Sequence, residues 1–205
     1  MPLRCALLCG MPCTRDAATQ ALLNPFPGSY AEEWLRSSSV VDAGNELVDE
    51  YLKGVPNTWH QIGAQLRSLG VTAMSDATVG DLANALSEFS VVALLAHHVQ
   101  GSENQTIGIE MSGSVVDTGA IAAISATSPQ VVHLGVCRSA HTLVAPFKSR
   151  CTSVRVVASH SQIEPEFFLR TFGMTVKLWR QEGGDYVDAL VKLRTAMLDS
   201  FFVPP

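Results

Sequence analysis

Two apolar stretches of the chain end in residues that could perform nucleophilic catalysis. The stretch at 89–98 ends in His97 and His98, and the stretch at 131–139 reaches Cys137 before it turns polar. A cysteine thiolate is a strong nucleophile, and a neighbouring histidine can activate it as a base and protonate the leaving group as an acid. These residue types point to acyl transfer through a Cys–His pair, provided that the two stretches lie side by side.

Both stretches are typical of buried parallel strands, because they are continuous, apolar and rich in β-branched residues. Further strands are predicted at 3–10 and 153–159, and helical patterns separate the strands from one another. Strands that alternate with helices predict a parallel sheet covered on both faces. In open α/β sheets, sites form at the carboxyl ends of the strands. If the two stretches are neighbouring strands, the histidine pair and the cysteine meet at one edge of the sheet.

The remaining segments complete this α/β/α pattern. Residues 101–105 predict a polar loop. The residues at 106–116 alternate in polarity and turn at a Ser-Gly-Ser sequence, which predicts a small hairpin beside the site. Residues 11–30 are rich in proline and predict an irregular loop with room for one short helix. Helices are predicted at 31–52, 59–69, 78–88, 139–150, 164–180 and 185–199.

The composition bounds the class of protein. A chain of 205 residues with 47% hydrophobic and 16% charged residues predicts one folded domain over 1–205 and excludes a disordered chain. The net charge of −5 argues against a nucleic-acid-binding surface. No apolar run reaches the ~18 residues of a membrane span, and the N-terminus is more like a first strand than a signal peptide. We therefore expect a cytoplasmic protein that binds neither nucleic acid nor membrane.

Three N-terminal cysteines do not suggest a metal site. Cys5, Cys9 and Cys13 follow a spacing that matches no zinc or iron–sulfur pattern. The interpretation that fits them is a set of buried thiols.

The order and spacing of these stretches resemble the caspase-like cysteine peptidases, and within them the bacterial CHAT group. Residues 91–98 resemble the strand that ends in the catalytic histidine, and residues 131–139 resemble the strand that ends in the catalytic cysteine, with Arg138 directly after it. Residues 152–168 are similar to the next strand and the acidic start of the following helix. The resemblance covers roughly 58–199, whereas 11–57 looks like an insertion of loop and helix.

This resemblance implies a caspase-like three-layer α/β/α sandwich and a cysteine endopeptidase without metal or organic cofactor. Cys137 matches the nucleophile, and His98 matches the histidine, with His97 as the alternative base. The backbone N–H groups of Cys137 and Val99 would form the oxyanion hole. The family usually has glycine where Val99 stands, which puts the strength of that hole in doubt. The family also implies a dedicated protein substrate, an activating or sensor protein, and a bacterial defence or cell-death system.

Other polar residues follow the two strands and could line a cleft. Arg138, Ser139, His141 and His160 are the candidates, whereas His133 lies too far along its strand from Cys137 to be the base and is expected in the core.

Two further hypotheses stay open. A degenerate caspase-like module would bind a partner without cleaving it, which the valine at position 99 motivates. An unrelated α/β hydrolase or transferase using Cys137 would carry it on a nucleophile elbow, but the sequence at 135–139 lacks the closing glycine of that motif.

Overall fold

A computed structural model describes residues 4–38, 44–100, 106–124, 130–149 and 152–201 of the chain. The polar loop predicted at 101–105 lies outside these residues. Within them the chain forms strands of three to six residues. They are β1 Cys5–Cys9, β2 Val71–Met74, β3 Val91–Leu95, β4 His98–Gln100, β5 Thr106–Met111, β6 Ser114–Asp117, β7 Val131–Gly135 and β8 Arg155–Val157.

Five of these strands form a parallel central sheet in the order β2-β1-β3-β7-β8. Helices cover both faces, because alternate side chains of each strand enter opposite cores. The helices are α1 Arg15–Leu23, α2 Tyr30–Ser37, α3 Asn45–Leu52, α4 Val55–Ser68, α5 Val79–Glu88, α6 Thr118–Ile124, α7 Ser139–Thr142, α8 Val144–Lys148, α9 Pro165–Glu182 and α10 Tyr186–Phe201.

Residues of α4, α9 and α10 pack on one face of the sheet, and residues of α5, α6 and α8 pack on the other. The three-layer α/β/α architecture predicted from the sequence is therefore confirmed. Helices α1, α2 and α3 share a smaller core of their own, built on Ala18, Ala31, Val48 and Tyr51.

Several element boundaries differ from the sequence prediction. The single helix expected at 31–52 is the two helices α2 and α3, and the helix expected at 139–150 is the two short helices α7 and α8. Strand β2 was not predicted at all. The helix expected from residue 59 begins at Val55, because Pro56 occupies the first turn, where its missing N–H costs nothing.

A second, antiparallel sheet of β4, β5 and β6 lies at the carboxyl end of the central sheet. The predicted hairpin is β5–β6, and β4 adds a third strand that carries His98. Gly10 joins the two sheets, since its N–H donates to the Leu95 carbonyl (2.9 Å) and its carbonyl accepts from the Ser112 N–H (2.8 Å). A Cβ at Gly10 would lie 2.3 Å from the Glu110 carbonyl oxygen, so this junction requires glycine.

The helices of the described residues were compared with the requirements of a membrane span. None of those in the described part of the chain combines the length and the apolar composition that a span requires.

Candidate active site

Strands β3 and β7 are hydrogen-bonded neighbours in the central sheet, which is the condition on which the Cys–His hypothesis depends. Their parallel register pairs Leu95 with Gly135 at their carboxyl ends. His97 and Cys137 each lie two residues beyond this last pair. The register therefore brings the histidine pair and the cysteine to the same level of one sheet edge.

The Cys137 thiol is half-buried and faces the loop that follows β8. The Ile163 N–H donates to Sγ at 3.2 Å, and the Ile163 carbonyl oxygen lies 3.7 Å from Sγ. The sulfur is thus held by the backbone of a single residue in that loop.

The turn between β7 and α7 is tied to the same loop by three hydrogen bonds. The Arg138 N–H donates to the Ser161 carbonyl (3.0 Å), and the Ala140 N–H donates to the Ser159 carbonyl (2.9 Å). The buried Ser139 hydroxyl accepts from the Ser159 N–H at 3.1 Å. Ser139, predicted as a possible cleft residue, therefore lies beneath the surface and fixes the loop against the turn.

This turn is sharp, but its backbone strain does not fall on the cysteine. Arg138 has φ 53° and ψ 21°, in the left-handed region that non-glycine residues avoid. Cys137 is not among the described residues with positive φ. A nucleophile elbow places the strain at the nucleophile, so the geometry at this position differs from that motif.

His97 is held on the side of the site that faces α2. Its ring lies 5.8 Å from the Tyr30 ring, and Nε2 lies 3.5 Å from a Glu33 carboxylate oxygen without forming a hydrogen bond. Burial lowers the pKa of His97, and the nearby Gly28 backbone partly opposes this. His97 is therefore neutral at pH 7 and enclosed by α2 and the segment before it.

The two ring nitrogens of His98 have different surroundings. Its Nε2 lies 3.1 Å from the Gln100 side-chain amide, whereas the buried Nδ1 has no partner among the described residues. Burial is the largest cause that lowers the pKa of His98, and the neighbouring His97 lowers it further. Glu33 partly opposes this, and Arg138 makes the smallest contribution, which also lowers the pKa.

Neither histidine is hydrogen-bonded to Cys137 Sγ within the described part of the chain. The ring centroids of His97 and His98 lie 5.2 Å apart, so both stand at the same strand end. Catalytic contacts are often long in free enzymes and tighten on binding, so the role of either histidine as the base stays a prediction.

The backbone at position 99 belongs to the β4–β5 ladder. Val99 is paired with Gly108, and the Glu110 N–H donates to the His97 carbonyl at 2.8 Å. Antiparallel ladders alternate, so this bond makes Val99 and Gly108 the pair that exchanges hydrogen bonds. The Val99 N–H must leave Gly108 before it can bind an oxyanion, and its role with the Cys137 N–H stays a prediction.

His141 and His160 form an exposed pair beside the turn. His160 Nδ1 lies 3.1 Å from His141 Nε2, and their rings are nearly perpendicular. They lie on the β8 side of Cys137, whereas His97 and His98 lie on the β3 side. The predicted cleft residues Arg138, His141 and His160 are thus all exposed around the cysteine.

Two predictions for other residues are confirmed. His133 is buried, and its Nδ1 lies 2.7 Å from the Tyr186 hydroxyl. Cys5, Cys9 and Cys13 are buried, and burial raises the pKa of the Cys5 thiol to about 12. The Cys5 thiol is therefore protonated and poorly nucleophilic at pH 7.

Glu110 is a titratable residue at this edge that the sequence reasoning missed. It is fully buried on β5, and its Oε2 accepts a hydrogen bond from the Tyr30 N–H at 2.7 Å. Burial raises the pKa of Glu110 to about 7, helped by nearby Glu33 and opposed by the Tyr30 bond. Its alternating strand favours a solvent-facing glutamate, so no local signal indicated burial.

The described residues contain no group of three or more His, Cys, Asp or Glu side chains that could hold a metal ion. Comparison of the sequence with protein-family models and with curated proteins finds no match.

Proposed function

We propose that this chain is a caspase-like cysteine endopeptidase in which Cys137 is the nucleophile and His98 the general acid and base. The observation that carries the proposal is the register of β3 and β7, whose last pair is Leu95 and Gly135. That register brings a half-buried thiol and a histidine pair to adjacent strand ends, where sites form in parallel sheets.

His98 is preferred to His97 because of their different surroundings. Each keeps one buried ring nitrogen without a partner among the described residues, but the ring of His97 is enclosed by Tyr30 and Glu33. Burial keeps both imidazoles neutral at pH 7, which is the state that a general base requires.

The proposed reaction is acyl transfer in two steps. His98 takes the proton of the Cys137 thiol, the thiolate attacks the peptide carbonyl carbon, and the amine leaves with that proton as the C–N bond breaks. Water then attacks the thioester, His98 takes its proton, and the acid leaves as the thiol is restored. The backbone N–H groups of Cys137 and Val99 are the proposed oxyanion donors. The proposal includes the protein substrate, the activating partner and the bacterial defence setting that the resemblance implies.

A second function is favoured by the hydrogen bonds of the same residues. The Cys137 sulfur faces the Ile163 backbone, and the ladder engages the Val99 N–H. A module that binds a protein without cleaving it needs neither group to be free. A module that binds a protein without cleaving it is therefore the alternative function.

Labelling with peptide acyloxymethyl ketones, which alkylate activated thiols, distinguishes the two. The wild type, Cys137→Ala, His98→Ala and His97→Ala would be compared with and without cell lysate, and the labelled peptide identified by mass spectrometry. We expect rapid labelling at Cys137 that falls about 10²–10⁴-fold in His98→Ala and much less in His97→Ala. A dependence on lysate would indicate the activating partner.

One labelling result would refute the peptidase proposal. If Cys137 is labelled no faster than a free thiol such as glutathione under every condition, it is not activated, and the binding module becomes the better account. A larger loss in His97→Ala than in His98→Ala would assign the base to His97.

A further inference from the structure

A cavity of about 400 Å³ lies beside the site, between α1, the segment that leads into α2, and the β5–β6 turn. Its volume is within the range of small-ligand pockets. Apolar wall comes from residues such as Ala17, Ala21 and Phe26, and the amide side chains of Gln20 and Asn24 also line it. These walls suit a long aliphatic stem with a polar end.

Glu110 lines this cavity and supplies a charge that the chain does not neutralise. Its Oε2 accepts from the Tyr30 N–H, while Oε1 is buried without a partner among the described residues. The basic residues of α1 and α2 are used elsewhere, since Arg15 pairs with Asp49 and Arg36 pairs with Glu32. A buried carboxyl oxygen without a donor is costly, and Oε1 has no exposed surface, so a cation in the cavity would bind it once the Glu110 carboxyl rotates towards the cavity.

The cavity lies at a defined position relative to the cysteine. Pro12, in its wall, follows β1, whereas Cys137 follows β7, and β3 with His97 lies between these two strands. Two strand spacings correspond to about 10 Å. A polypeptide lying across the sheet edge at Cys137 could therefore place a side chain that is not next to the cleaved bond in the cavity.

We propose that this cavity binds the lysine or arginine side chain of a polypeptide that lies across the carboxyl edge of the central sheet. The methylene stem would contact the apolar wall, and the cationic end would donate to Glu110 Oε1 and to the side-chain oxygens of Gln20 and Asn24. This inference rests on the part of the proposed function that both readings share, namely that a polypeptide lies across this edge.

The carboxyl must be ionised to bind a cation, which makes the affinity depend on pH. Since burial raises the pKa of Glu110 to about 7, the ionised fraction grows about tenfold between pH 6 and pH 8. The other titratable groups around it are Glu33 and Tyr30 of α2, His97 after β3, Cys13 after β1 and Tyr51 of α3. Protonation of His97 at lower pH would weaken cation binding in the same direction.

Calorimetry on the full chain tests the proposal with matched probes. N-acetyl-arginine methylamide and its lysine counterpart carry the cation, and N-acetyl-citrulline methylamide has the same shape without charge. We expect the arginine probe to bind about tenfold or more tightly than the citrulline probe, and more tightly at pH 8 than at pH 6. Agmatine, which lacks the peptide groups, should bind more weakly than the arginine probe.

Two variants change the cavity in different ways. Glu110→Gln keeps the acceptor for the Tyr30 N–H and removes the charge, and Ala21→Leu fills the cavity from α1 without touching the carboxyl. Each should weaken the arginine probe about tenfold or more, and Cys137→Ser should leave its affinity unchanged. Ala21→Leu also keeps the test decisive if Glu110→Gln folds poorly.

Several results would overturn the inference. In the probe comparison, these results are equal binding of the citrulline and arginine probes or no detectable binding of either. In the variants, the result is binding of the arginine probe within about twofold of the wild type in both. A further such result is agmatine that binds more tightly than the arginine probe. The last would indicate a small-molecule cation site. Binding of the arginine probe by a chain whose Cys137 is inert would refute the peptidase proposal alone, and labelling of Cys137 without arginine binding would refute this inference alone.

Discussion

Replacing Glu110 by glutamine should stabilise the fold more at pH 8 than at pH 5. Glu110 is fully buried, one of its oxygens has no partner, and no described ion pair reaches it. Glutamine has nearly the same shape and keeps the oxygen that accepts from the Tyr30 N–H. The substitution therefore removes a buried charge and little else.

The direction in which stability changes with pH follows from proton linkage. Burial raises the pKa of Glu110 from 4.5 to about 7 in the folded chain, so the folded chain holds this proton more tightly than the unfolded chain does. The resulting stabilisation is fully present below pH 4.5 and is lost as the pH rises through about 7. At 1.36 kcal/mol per pH unit, the loss is about 3 kcal/mol overall, of which about 2.5 kcal/mol falls between pH 5 and pH 8.

Urea unfolding of the wild type and Glu110→Gln at pH 5, 6, 7 and 8 measures this directly. The free-energy difference between the two chains should move in favour of glutamine by about 2–3 kcal/mol across the range. Glu46→Gln removes an exposed carboxylate from α3 and controls for the change in net charge. A difference that stays constant within about 0.5 kcal/mol would refute both the raised pKa and the burial of an unneutralised carboxyl.

Three substitutions test the packing around the site, each by urea unfolding. Gly135→Ala would put a Cβ 2.6 Å from the Phe168 ring, and overpacking of this kind should cost about 1–3 kcal/mol. Tyr186→Phe should cost about 1–3 kcal/mol, because it removes the buried partner of His133 Nδ1. Thr78→Ala removes a capping box at α5 and should cost about 1 kcal/mol. An unchanged unfolding midpoint in any of them would contradict the contact concerned.

The sheet and the edge that carries the site could be predicted because their signals are local. β3 and β7 are continuous apolar runs, and such runs are typical of strands buried on both faces. The polar residue types at their ends then identified Cys137, His97 and His98. The sequence left open whether these strands are neighbours, and the structure supplies their pairing and register.

Elements with weak or conflicting local signals were missed. β2 is only four residues long and follows Gly70 directly, so it has too few residues to show a period. Pro56 and Gly54 are breakers by composition, yet here Gly54 precedes α4 and Pro56 lies in its first turn. In each case the fold depends on packing against distant residues, which a local pattern does not contain.

The partners of the site residues could not be predicted for the same reason. Ile163 lies 26 residues from Cys137, and Tyr30 lies 80 residues from Glu110. Both contacts depend on the placement of irregular segments at the sheet edge. Residue type alone suggested the proposed nucleophile and base, whereas their present hydrogen bonds depend on tertiary structure.

Activation would have to free both the Cys137 thiol and the Val99 N–H. The contacts that hold these two groups differ in kind. Freeing the Cys137 thiol requires the loss of its contacts with the Ile163 N–H and carbonyl oxygen, which a side-chain rotation achieves. Freeing the Val99 N–H requires a change in the β4–β5 ladder, next to the irregularity after Val99. A bulged ladder is a weak point that a bound partner can shift. For a chain of the proposed function, we therefore expect control to act on the small sheet rather than on the cysteine turn.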